Sequence, residues 1–174
     1  MCPNPTKSDP VKKLRNLLLP LFLATAAAPV FAQGTNVAFG AFKQDTNLPV
    51  EVTADNLSVD QETGIAIFTG NVLIGQGEMR LSAPRVLVVY QEQQKGIERM
   101  EATGGVTLVS GSDAAESDRA DYSITDGVIV MTGNVLLDQG PNALSADRMT
   151  VQLSDGTAQM SGRVKTIIQT GGDN

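Results

Sequence analysis

TGNVLIGQG at Thr69–Gly77 is written again as TGNVLLDQG at Thr132–Gly140, 63 positions later. In each copy valine and the residue two after it fall on one side of a strand, and asparagine and leucine on the other, which is the two-residue period of β-structure. The stretch belongs to a longer repeat framed by two glycines: Gly64 and Gly70, Gly96 and Gly104, Gly127 and Gly133, Gly156 and Gly162. Closing glycines lie 34, 29 and 29 residues apart, a period typical of stacked supersecondary units. Each copy follows a short alternating segment, ADNLSV (54–59), APRVLV (83–88), ADYSI (120–124) or ADRMTV (146–151), and Asp126-Gly127 and Asp155-Gly156 supply turn dipeptides. No ten-residue stretch after residue 33 carries an apolar 3.6-residue period, so the reading is all-β, built of repeated antiparallel hairpins.

Counting in twos divides the repeat into faces. One collects Phe68, Gly70, Val72 and Ile74; Met100, Gly104, Val106 and Leu108; Met131, Gly133, Val135 and Leu137; Met160, Gly162 and Val164. The other is mostly polar, with Thr69, Asn71, Thr103, Thr132, Asn134, Ser161 and Arg163. A glycine therefore falls inside each apolar face, where it costs roughly 0.5–1 kcal/mol against alanine. Four such costs point to geometry: the glycine bends the strand, keeps a lane clear for something to approach, or lets two curved sheets pack closely. With no Trp, five Phe and two Tyr in the whole chain, the interior is built from aliphatic side chains and methionine. Flexible methionine suits alkyl chains. An aliphatic interior is equally what a structural or adhesive β-module, binding proteins through its edge strands, packs for itself.

The first 32 residues read as a secretory leader. Lys12, Lys13 and Arg15 precede the apolar run Leu17–Ala28, and Val30-Phe31-Ala32 places small residues for cleavage after Ala32. An anchor needs roughly 20 apolar residues, and Pro20 and Pro29 interrupt this one. Without the leader, which takes the sole cysteine, Cys2, 9 basic and 18 acidic residues remain, a formal charge of −9. Such a surface argues against nucleic acid as a partner. The chain has no histidine, so the usual zinc and haem ligand sets are missing, and no serine has an imidazole to activate it. No catalytic residue, metal or cofactor is expected. Asp113, Glu116, Asp118 and Asp121 in SDAAESDRAD (112–121) lack the spacing of a calcium loop and read as a solvated loop. The aspartate of the Ala-Asp pairs reads as a charge that discourages wrong strand pairing.

The opening PVEVTADNLSVD (49–60), the block FTGNVLIGQGEMRLSAPRVLV (68–88) and its echo MTGNVLLDQGPNALSADRMTV (131–151) resemble the LptA/OstA family of lipopolysaccharide-transport proteins over about Leu48 to Lys165. The resemblance implies an open, V-shaped β-jelly-roll at 48–168; the polar or glycine-bearing segments on either side, 33–47 and 169–174, read as a flexible start and a flexible tail. It implies a periplasmic, non-enzymatic bridge whose apolar interior holds lipid A acyl chains, so the groove residues are Phe68, Val72, Ile74, Met100, Val106, Leu108, Met131, Val135, Leu137, Met160 and Val164, with Gly70, Gly104, Gly133 and Gly162 among them. Its partners would be lipopolysaccharide, an inner-membrane LptC-like protein and an outer-membrane LptD-like translocon. Pro84 in place of aspartate and Gly105 in place of asparagine depart from the repeat. Open sheets also leave edges that recruit strands. Leu48, Val50 and Val52 at one end and Val164, Thr166, Ile167 and Ile168 at the other are the expected edges for head-to-tail self-association, with Lys165 and Glu51 favouring that polarity.

Overall fold

The computed structural model describes residues 35–39, 47–91 and 96–168. The expected leader with its cleavage point, residues 40–46 and the tail at 169–174 lie outside them. The described residues contain eleven strands and no helix: β1 (Thr35–Ala38), β2 (Glu51–Thr53), β3 (Asn56–Asp60), β4 (Ile65–Gln76), β5 (Met79–Tyr90), β6 (Ile97–Ser110), β7 (Asp113–Ser123), β8 (Val128–Gln139), β9 (Asn142–Gln152), β10 (Thr157–Ser161) and β11 (Lys165–Ile168). All pair antiparallel in one open sheet, ordered β1-β10-β9-β8-β7-β6-β5-β4-β2, with β3 also on β4 and β11 also on β9. The fold is the all-β open jelly-roll expected.

Every long strand breaks register along one shared line, and β5 and β6 slip once more at Val89/Tyr90 near their margin. The register breaks between Thr69 and Val72, Ser82 and Arg85, Thr103 and Val106, Glu116 and Arg119, and Thr132 and Val135. These breaks line up across the sheet and crease it into two half-sheets whose apolar sides face each other. One half carries β3, the first parts of β4, β6 and β8, the second parts of β5, β7 and β9, then β10 and β1. The other carries β2, the complementary parts of β4 to β9, and β11. Hairpin turns close the margin opposite the crease; Gly64, Gly127 and Gly156 end the turns of one half with φ of 64°, 64° and 67°. Backbone twisted this way suits glycine, which has no Cβ to clash.

Two segments expected to be loose are strands. Thr35–Ala38, within the segment 33–47, pairs with β10, and Phe39 behind it is buried. Val37 and Phe39 share one side and exchange exposure for the core, which offsets the cost of ordering the segment. SDAAESDRAD is most of β7 rather than a loop: Ala115, Ser117, Ala120 and Tyr122 are buried while Glu116 and Asp118 face water.

Candidate functional site

The apolar interior is the candidate site, and it is continuous across the array. In one half-sheet the paired residues Ala66, Val88, Met100, Tyr122, Ile129, Val151 and Ala158 form a row across seven strands, all buried. The other half answers with Ile74, Leu81, Leu108, Ala115, Leu137 and Leu144. Of the expected groove residues, Val72, Ile74, Met100, Val106, Leu108, Met131, Val135, Leu137 and Met160 are in this core, each at 1% exposure or less. Phe68 is half-buried against it, and Val164, between β10 and β11, is 37% exposed. Met131, Met149 and Met160 lie side by side on β8, β9 and β10. The interior is filled by the chain's own side chains.

The four repeat glycines are not part of that lining. They sit at the crease with φ of 78° at Gly70, 95° at Gly104, 80° at Gly133 and 74° at Gly162. The space their missing Cβ leaves is taken: a Cβ on Gly70 or Gly133 would stand 2.4 Å from a carboxylate oxygen of Asp55 or Asp118, and one on Gly162 2.6 Å from Asp147. At Gly104 the neighbour is Pro84, at 3.3 Å. Bend and close approach are thus one device, and what approaches is this chain's own aspartate. The next residue is left-handed too: Asn71 and Asn134 donate Nδ2 to Asp55 and Asp118 at 2.8 and 2.9 Å, and Arg163 donates to both oxygens of Asp147 at 2.6–3.2 Å. Arg163 holds the Asp147 carboxyl below the usual aspartate range. Pro84 and Gly105 now explain each other, because without an acceptor at 84 no donor is needed at 105. The aspartates therefore pin the crease rather than guard an edge, and the one in the third repeat is Asp118, not the Asp121 that matching the Ala-Asp pairs selected. Asp121 lies on the outer face, where Arg119 bridges it to Glu101.

At the ends of the array the apolar sides run past the core. Leu57 and Val59 of β3 pair with Phe68 and Ala66, so they face inward, yet they are 55% and 56% exposed. At the opposite end Ile168 of β11 pairs with Asn142 and is 65% exposed. The expected edge residues divide accordingly: Val50 and Val52 pack against the core, Leu48 is exposed, Thr166 faces inward opposite Leu144, and Ile167 points outward. β2 and β11 end the same half-sheet at opposite ends.

Sequence reasoning missed one polar feature. Gln76 and Tyr122 are 2% and 1% exposed inside the apolar interior; the Tyr122 hydroxyl donates to Gln76 Oε1, and Gln76 Nε2 donates to the Leu48 carbonyl at 2.9 Å. Burial pushes the tyrosine pKa up to about 12. The signal was available in the opening repeat, where a glutamine precedes the last glycine of both copies. Among the described residues no three His, Cys, Asp or Glu side chains converge in a way that could hold a metal ion.

Comparison with known proteins agrees with this architecture. Over 85 residues the chain is 36% identical to the lipopolysaccharide export system protein LptA of Haemophilus influenzae, covering 48% of this chain and 46% of that one. It is 30% identical over 89 residues to LptA of Escherichia coli K12, covering 51% and 43%. The chain thus spans about half the length of these curated relatives. The crystal structure of LptH, described as the LptA homologous periplasmic component of the lipopolysaccharide transport device of Pseudomonas aeruginosa, matches with a TM-score of 0.63 at 19% identity, over 72% of this chain and 99% of that one. The profile of the LptA/(LptD N-terminal domain) LPS transport protein family matches residues 51–157, the creased array itself, and to that family this chain belongs.

Proposed function

We propose that the protein is a periplasmic carrier that holds lipopolysaccharide by its acyl chains between the two half-sheets and passes it along copies joined end to end. The observation that carries this reading is the apolar row of each half-sheet, which runs past the core to uncovered Leu57 and Val59 at one end and, beyond Thr166, to uncovered Ile168 at the other. The uncovered residues lie on different half-sheets at the two ends. When one copy follows another, each set meets the other across the joint, so a single interior continues through it. Apolar burial of about 0.8 kcal/mol per CH₂ lets an acidic protein hold an anionic glycolipid without a basic surface. An inner-membrane LptC-like protein and an outer-membrane LptD-like translocon would occupy the two ends of such a bridge.

Because the interior is closed on itself, acyl chains must part the half-sheets to enter. A structural or adhesive module would instead keep that packing permanently, and the two readings separate in one experiment. A photo-crosslinking residue in place of Met131 or Val135 is expected to capture lipopolysaccharide, while the same probe at Asn71 or Asn134, on the crease, is not. Capture at the asparagines alone would remove the interior as the carrier site.

A further inference from the structure

Gln76 is the last residue but one of the first copy of the repeat and Gln139 of the second, 63 residues apart in sequence and on equivalent ends of β4 and β8. Both amides hold a carbonyl oxygen of the chain itself: Gln76 Nε2 the carbonyl of Leu48 at 2.9 Å, and Gln139 Nε2 the carbonyl of Ala38 at 2.6 Å, with a second contact to Asp113 at 2.9 Å. Both stand where the interior meets the turn margin, opposite the crease. At Gln76 the arrangement is built into the core, since Tyr122 reaches from the facing half-sheet and its hydroxyl fixes the amide by donating to Oε1. A polar pair this deeply buried costs stability unless its donors and acceptors are met. Among the described residues no buried side-chain nitrogen or oxygen lacks a partner.

The geometry points to a carbonyl-binding site at Gln76, in which the Leu48 carbonyl stands in for the ester or amide carbonyl at the root of an acyl chain. This rests on the acyl-carrier reading above and deepens it. Tails running inward from the margin would bury their methylenes in the core and leave the first carbonyl level with Gln76. As the half-sheets part, the amide exchanges the Leu48 carbonyl for the ligand's, and Gln76 stays paired throughout. A chain attached through an ether has no carbonyl to offer, so its entry leaves a buried donor unmet. Gln139 repeats the same grip four strands along the margin.

Two disaccharide amphiphiles test this below their micellar concentrations: sucrose monolaurate, whose chain begins at an ester carbonyl, and dodecyl maltoside, whose chain begins at an ether oxygen. One hydrogen bond's worth of discrimination predicts that the purified protein binds the ester roughly fivefold more tightly. Gln76→Leu is expected to bring the two affinities within about twofold by weakening the ester alone. Tyr122→Phe, which keeps the ring packing, should lower the ratio part of the way. In the unaltered protein the side-chain amide resonances of Gln76 should keep hydrogen-bonded positions when the ester binds and move toward those of an unbonded amide when the ether binds, a readout that holds even if Gln76→Leu folds poorly. An unchanged ratio in Tyr122→Phe together with Gln76 amide resonances that respond alike to the two amphiphiles overturns the carbonyl site while leaving the carrier reading intact. If neither amphiphile binds, the interior is not an acyl site and both readings fall.

Discussion

At the scale of single residues, the crease is a contact between a missing Cβ and a carboxylate. Gly133 and Gly140 both have left-handed backbone, with φ of 80° and 61°, but a Cβ on Gly140 would meet nothing within 4 Å. The two positions therefore separate backbone strain from steric conflict. Gly140→Ala is expected to cost about 1 kcal/mol, the penalty for an ordinary residue in left-handed conformation. Gly133→Ala carries that penalty and must also expel the Asp118 carboxylate, which breaks its 2.9 Å bond from Asn134. Its total should exceed that of Gly140→Ala by at least about 1 kcal/mol. Urea denaturation of the two variants measures the difference, and equal losses would show that the aspartate contact contributes nothing to the fold.

The element scale shows what was legible in the residues and what was hidden. On β4 and β8 the crease inserts two residues, Gly70-Asn71 and Gly133-Asn134, so alternation resumes in phase and counting in twos finds the right buried side chains on both sides. On β5, β7 and β9 a single residue turns the crease, Pro84, Asp118 or Asp147, and the buried positions slip from Ala83 to Val86, Ser117 to Ala120 and Ala146 to Met149. The third Ala-Asp pair was matched to the wrong aspartate because Ser117 precedes Asp118 where the other copies have alanine, and Ala120-Asp121 three residues on imitates the pair. β7 was further disguised because its buried residues in the first part are Ala115 and Ser117, too small to announce a core face. β1 is short and its partner lies some 120 residues away, so nothing local marks it. The terminal strands carry a prediction at this same scale. β11 holds only the margin of β9 and leaves its outer side open, so deleting residues 164–168 removes an edge without opening the core. The shortened protein should remain a folded monomer that still binds lipid but no longer self-associates with rising concentration. Light scattering that finds the same oligomer distribution before and after the deletion would exclude this edge from assembly.

For the molecule as a whole, the carrier reading requires an interior that is dense without lipid and accommodating with it. A core packed only from branched side chains resists such a change, because each has few rotamers and fixed neighbours. Met131, Met149 and Met160 break that rule together: they are paired across β8, β9 and β10, each at 0% exposure, and their unbranched thioethers can reshape a cavity without moving backbone. The creased sheet then supplies a hinge line, and the methionine row supplies the surface that conforms to whatever lies between the halves. Replacing all three by leucine tests this division of labour. Volume is nearly conserved, so each exchange should change stability by less than about 1.5 kcal/mol, readable in urea denaturation. Capture of lipopolysaccharide by a photo-crosslinker at Val135 should nevertheless fall several-fold, because the stiffer row no longer yields to acyl chains. Capture at the level of the unaltered protein, with stability preserved, would mean that the half-sheets separate as rigid bodies and that the methionines serve packing alone.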